Sequence, residues 1–157
     1  MKLRLSFRIF NIRFLLSVRK VHRPVGACSK LENGKHILMW DFDGVDYQDA
    51  EQALREVIRR ENLSDVYLLQ SSGQMGFHAY CFSSFDFNDA LRIVASTRHI
   101  ENMFIRLGAV RGYLTLRITA TEKRPQPQLR AVLAGRREAD ATTNDINLVI
   151  KYETIKA

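Results

Sequence analysis

The stretch His36-Ile-Leu-Met-Trp40-Asp41-Phe-Asp43-Gly-Val-Asp46-Tyr-Gln-Asp49 decides how this chain is read. Its first five residues form a continuous apolar run of the kind a buried strand presents. The run ends on two carboxylates two positions apart. Side chains at i and i+2 of a strand point the same way, so Asp41 and Asp43 share one side of the strand end. Carboxylates held together repel unless a cation sits between them, which points to a hard metal, Mg²⁺ or Mn²⁺. Asp46 then suits the N-cap of a helix, with Asp49 near the positive end of its dipole. Ala50, Ala53, Leu54, Val57 and Ile58 follow at helical spacing as one buried stripe.

Outward from this strand and helix, the periods continue. Val66 to Gln70 and Met75 to Phe82 read as two strands joined through Ser71-Ser72-Gly73, a hairpin. The second leads through Ser72-Gly73-Gln-Met-Gly76-Phe-His78, a Gly-interrupted turn suited to gripping phosphate. Asp86 and Asp89 repeat the capping pattern before a stripe of Phe87, Ala90, Leu91 and Val94. Ile100, Met103, Phe104 and Leu107 resume the spacing out of phase, which predicts a break near Ser96 to His99 and an end at Gly108. Tyr113 to Thr119 is a fourth strand. The order over 36–120 is strand, helix, strand, strand, helix, strand. It predicts an α+β, RNA-recognition-motif-like βαββαβ core, with an antiparallel sheet and both helices on one face. First and third strands are neighbours in such a core, so Asp41, Asp43 and His78 should converge.

The flanks add less. Lys2, Arg4, Ser6 and Arg8 alternate with Leu3, Leu5, Phe7 and Ile9, a strand period that argues against a targeting presequence. Val21 to Gly34 reads as a loop. Beyond Pro125 and Pro127, Leu129 to Leu133 and Ile146 to Tyr152 predict an added C-terminal hairpin. We expect one domain over 1–157, divided into an N-terminal strand and loop (1–34), the core (36–120) and the hairpin (125–157).

The 157 residues carry a formal charge of +7, which favours polyanionic partners, nucleic acid first. A hydrophobic content of 46% with 26% charged residues is that of an ordinary globule rather than a disordered chain. Two cysteines, Cys28 and Cys81, are too few for a disulfide framework or a self-contained zinc site. No apolar run reaches the roughly 18 residues of a membrane span. The expected setting is cytoplasmic and nucleic-acid associated, with no membrane partner.

Here the motifs meet a family. Ile37 to Asp49 resembles the first motif of the archaeo-eukaryotic primase superfamily, an apolar strand, Asp-x-Asp, and an acidic, aromatic start to a helix. Ser72-Gly73-Gln-Met-Gly76-Phe-His78-Ala-Tyr80 is similar to its second motif in residues and in spacing. The resemblance covers roughly 36–120. It implies a minimal primase or template-directed polymerase domain that binds nucleoside triphosphate, divalent metal and single-stranded or primer-template nucleic acid, beside other replication proteins. Asp41 and Asp43 would be the metal ligands, catalytic together with His78. His78, with Ser72, Gly73 and Gly76, would hold the triphosphate, and Arg117 and Lys123 would add positive charge. Arg111, Arg124 and Arg130 would bind nucleic acid.

The chain departs from that family at one telling point. The family's third motif supplies another metal carboxylate on a later strand, and in Tyr113-Leu-Thr-Leu-Arg117-Ile-Thr this position is held by Arg117. A catalytically lapsed relative that binds nucleic acid or a protein partner is therefore the alternative. Asp41-Phe-Asp43-Gly-Val also matches the opening of haloacid-dehalogenase-like phosphatases, where the first Asp attacks phosphate. That reading requires a parallel sheet and leaves the Ser72 to His78 turn unexplained. The plainest alternatives are helix capping for the carboxylates, a satisfied core histidine for His78 and a tight hairpin for the glycines.

Overall fold

The computed structural model describes residues 2–10, 12–19 and 24–150. In chain order the elements are β1 (Lys2–Ile9), β2 (Ile12–Arg19), β3 (Val25–Cys28), β4 (His36–Asp43), α1 (Tyr47–Glu61), β5 (Val66–Ser72), β6 (Gly76–Phe85), α2 (Phe87–Ala95), α3 (Asn102–Arg111), β7 (Thr115–Arg117), β8 (Gln128–Leu133) and β9 (Asn147–Ile150). A short 3-10 turn covers Thr143–Asp145. The fold is mixed α+β, with every strand pairing antiparallel.

The apolar run of residues 36–40 becomes the buried edge strand of a four-stranded sheet ordered β4-β6-β5-β8. β4 lies against β6 with Asp41 opposite His78 and Asp43 opposite Gly76. β5 and β6 form the expected hairpin. Gly76 is required where it stands, since a Cβ there would fall 2.1 Å from Ser72 Oγ and 2.8 Å from the Ser72 carbonyl oxygen.

One face of this sheet is covered by helices. The predicted stripe Ala50, Ala53, Leu54, Val57 and Ile58 is buried. Asp46 caps α1, its carboxylate accepting from the Asp49 N–H at 2.8 Å. Tyr47 meets Phe77 edge-on at 6.0 Å, and Trp40 Nε1 donates to Thr97 Oγ1, just past α2, at 2.9 Å. Trp40, Phe42, Phe77 and Ala79 therefore face the helices. By strand alternation Asp41, Asp43, His78 and Tyr80 face the other way.

That second face is where the structure departs from the RNA-recognition-motif order. The fourth predicted strand, β7, does not join the large sheet. It pairs with β3 in a three-stranded sheet ordered β7-β3-β9, tied to the first by an Ile37 N–H to Ser29 carbonyl bond of 2.9 Å. The expectation of a loop from Val21 to Gly34 is corrected over Val25–Cys28. Gly26 belongs in that strand because a Cβ would press to 3.1 Å from the Leu116 carbonyl oxygen. Residues 21–23 lie outside the described residues.

The predicted C-terminal hairpin is also corrected. β8 pairs with β5 and β9 with β3, so the two segments part company. The cause is the stretch between them. Gly135 packs against the Ser64–Asp65 backbone and donates to Asp65 Oδ1 at 2.7 Å, and Asp140 donates to the Phe82 carbonyl at 3.0 Å. The segment crosses the large sheet before β9 begins. Lys151 and Tyr152, the expected end of that strand, are outside the described residues. Two smaller corrections concern the helices. Gly108 does not end α3; it sits inside it, close to Leu114, and Gly112 at φ 75° is the C-cap. Asp86 occupies the N-cap of α2 without a side-chain capping bond. The predicted N-terminal strand is present as β1, paired with β2 in a separate hairpin.

Candidate functional site

The sheet brings the two sequence motifs together. Asp41 and His78 are direct cross-strand partners, with His78 Nε2 3.7 Å from Asp41 Oδ1. Asp43, exposed, follows Asp41 on the same face. The turn of residues 73–75 closes over this end of the sheet, where the Val45 N–H donates to the Met75 carbonyl at 3.1 Å. Gly76 thus lies directly across from Asp43, with Ser72 opposite it on the far strand and Gly73 in the turn between them. Their immediate role is the hairpin itself: Gly73 has a φ of 48°, and Gln70 donates its amide to the Gly73 carbonyl.

Arg117 reaches the site from the other sheet. Its guanidinium donates to the carbonyls of Ser71 and Pro125 at 2.7 Å each, and to that of Thr119. It therefore ties the end of β5 to β7 and to the loop that follows. That loop carries Lys123 and Arg124, folded by Thr121 Oγ1, which accepts from both backbone N–H groups.

The electrostatics follow from this crowding. Burial pushes the Asp41 carboxyl up to about 6, helped by the nearby charges of Glu101 and Asp43 and opposed by Arg124 and Arg117. Burial lowers His78 to about 4, with the Arg117 and Arg124 guanidiniums pushing the same way and the Arg117 backbone opposing. At neutral pH the imidazole is therefore uncharged and Asp41 ionised. Their separation exceeds hydrogen-bond reach, so the pair is a close contact and not an ion pair. Among the described residues His78 Nδ1 is buried with no hydrogen-bond partner.

Glu101 is the residue that sequence reasoning missed. It precedes α3, and its N–H reaches the Asp41 carbonyl at 3.4 Å. Only its place at the helix N-cap could have flagged it. Other predicted residues lie apart. Arg130 is stacked over the Tyr47 ring, 5.5 Å from its centroid, towards the helical layer. Arg111 is in the last turn of α3, a helix that starts at the site and, at about 1.5 Å per residue, carries it well away. Of the three arginines expected to bind nucleic acid, only Arg124 is at the site.

Among the described residues no group of three or more His, Cys, Asp or Glu side chains could hold a metal ion unaided. The donors present suit a cation that brings its own ligands. Asp41 and Asp43 share a face, and their mutual repulsion is already felt in the raised Asp41 carboxyl. Mg²⁺ is commonly held by one or two carboxylates, with phosphate oxygens and water completing its shell. Among the described residues no helix is long and apolar enough to cross a membrane.

The chain matches no protein-family model, and neither curated proteins nor solved structures give a match.

Proposed function

We propose that this domain binds a nucleoside triphosphate with Mg²⁺ or Mn²⁺ on nucleic acid and acts as a primase-polymerase-like nucleotidyltransferase. The observation that carries this reading is the convergence of Asp41, Asp43 and His78 at one sheet end, with Arg117 and Arg124 beside them. Acidic groups for a cation and basic groups for phosphates are both needed there, and few other ligands ask for both. The antiparallel sheet argues against the dehalogenase-like alternative, which needs parallel strands.

Each side chain has a distinct part. Asp41 and Asp43 would hold the cation, which when bound would supply positive charge to polarise the phosphates. His78, neutral at pH 7, offers phosphate an N–H and not a charge. Arg124 and Lys123 supply the positive charge, and Arg117 holds their loop against the turn at Gly73.

The test is Mn²⁺-dependent incorporation of labelled nucleotide on single-stranded and primed templates. Asp41→Asn with Asp43→Asn should abolish it, a loss on the order of a thousandfold or more. Full activity in the double variant rules the mechanism out.

A second reading is favoured by Arg117. An arginine engaged with three carbonyls stands where the resembled family places an acid. On that reading the domain binds nucleotide or nucleic acid without joining nucleotides. Metal-dependent triphosphate binding without incorporation, lost in the same double variant, identifies it.

A further inference from the structure

A cleft of about 230 Å³ lies where the second half of α1 meets the chain just past β8. Arg55, Ile58 and Arg59 line it from α1, and Ala134 and Arg136 from the other segment. It belongs to the helix-covered side of the large sheet, away from the face that carries Asp41 and Asp43. Arg59 is roughly 20 Å along the helix axis from Asp46, at about 1.5 Å per residue. The proposed chemistry therefore makes no use of this cleft.

Three arginines share it, and two separate parts of the chain bring them there. Arg55 and Arg59, four apart, lie on one side of α1. Arg136 is carried in by its backbone, whose N–H donates to the Leu63 carbonyl at 2.7 Å. Gly135 beside it fixes the approach, since a Cβ there would fall 2.2 Å from the Ser64 carbonyl carbon. The helix dipole accounts for Arg59 near the end of α1, but not for Arg136. Glu51 offsets part of this charge, accepting from Arg55 Nε and Nη2 at 2.8 and 2.6 Å. Among the described residues the side chains of Arg59 and Arg136 have no hydrogen-bond or ion-pair partner. Three guanidiniums against one carboxylate leave two positive charges, whose repulsion a dianion would relieve. The cleft is smaller than the roughly 300–1,000 Å³ that encloses an organic ligand, so a compact anion suits it better. Guanidinium forks match the oxygen spacing of phosphate.

We propose that this cleft binds a phosphoryl dianion between Arg59 and Arg136, with Arg55 adding to the charge. The dianion is either free phosphate or the phosphate of a small phosphorylated compound. The site is separate from the carboxylates and stands whether or not they bind metal.

Calorimetric titration of the full chain with phosphate, glycerol phosphate and chloride tests this, in chelator and at constant ionic strength. Phosphate should bind the native chain and chloride should not. Arg59→Gln and Arg136→Gln should each weaken phosphate by about tenfold, the worth of a charge-assisted hydrogen bond. Both residues are exposed, so the ligand-free melting temperature should move little. Arg136→Lys keeps the charge without the fork and should recover only part of the loss. Arg106→Gln removes the same charge from an exposed position on α3 and should leave affinity unchanged. Tighter binding of glycerol phosphate than of phosphate identifies a phosphorylated compound, and equal or weaker binding free phosphate. Phosphate binding that persists in the Asp41→Asn, Asp43→Asn double variant separates this cleft from the acidic site. Four results overturn the proposal. They are phosphate binding no better than chloride, unchanged affinity in both Arg59→Gln and Arg136→Gln, an equal loss in Arg106→Gln, and binding abolished in the Asp41, Asp43 double variant.

Discussion

Asp41 and His78 face one another with opposite titration behaviour, and this has a measurable effect on stability. Between its ordinary value of 3.8 and its folded value of about 6, Asp41 holds a proton in the folded chain that the unfolded chain has lost. Its contribution to stability therefore falls as pH rises through that window. His78, moved from 6.5 to about 4, does the reverse: the unfolded chain holds the proton, and stability falls as pH drops from 6.5 towards 4. Each slope is roughly 1.4 kcal/mol per pH unit, so over pH 4 to 6 the two nearly cancel. In chelator, Asp41→Asn should leave a chain whose urea stability climbs with pH across this range. His78→Gln should leave one whose stability declines with pH. Slopes of the same sign in both variants would show that the two groups do not titrate as placed. This pairing was legible in the sequence, because a two-residue period fixes which side chains share a face and the element order makes the first and third strands of the core neighbours, as β4 and β6 are. Glu101 was not, since it arrives from the start of α3, whose position depends on packing alone.

At the scale of elements, the helices were legible and several strand partners were not. The five-residue stripe of α1 is buried as its spacing predicts, and Asp46 caps it. Asp86 stands at the equivalent position of α2 without a capping bond. Asp46→Ala should therefore cost about 1 kcal/mol in chemical denaturation. Asp86→Ala should cost clearly less, and equal losses would mean that helix-dipole charge and not hydrogen bonding stabilises both ends. Pairing is harder to read, because alternation marks a strand without naming its neighbour. β7 alternates as expected, yet its partner is β3, which Pro24 and Gly26 disguise as a loop. Gly108 misled in the other direction. It is small because Leu114 leaves no room for a Cβ, not because the helix ends there.

For the molecule as a whole, the net charge of +7 is spread over distant surfaces, and only part of it faces the candidate site. Lys123 and Arg124 lie in the loop at the acidic end of the sheet, while Arg130 is stacked on Tyr47. If nucleic acid binds at this end, affinity for single strands should fall with salt at a log–log slope of about −0.7 per phosphate contacted. Reversing Lys123 and Arg124 to Glu should flatten that slope by about one to two units, and Arg130→Glu should leave it nearly unchanged. An equal change in both variants would place the nucleic acid elsewhere. The route of the chain through the large sheet has a further consequence, for synthesis. β5 is sandwiched between β6 and β8, but β8 comes more than 50 residues later. At about 5–20 residues per second, the outer edge of β5 waits several seconds on the ribosome with its hydrogen-bonding groups unmatched. A chain stopped after Arg124 should accordingly self-associate where the full chain stays monodisperse in light scattering. Equal dispersity would mean that some other segment shields that edge while the nascent chain is still growing.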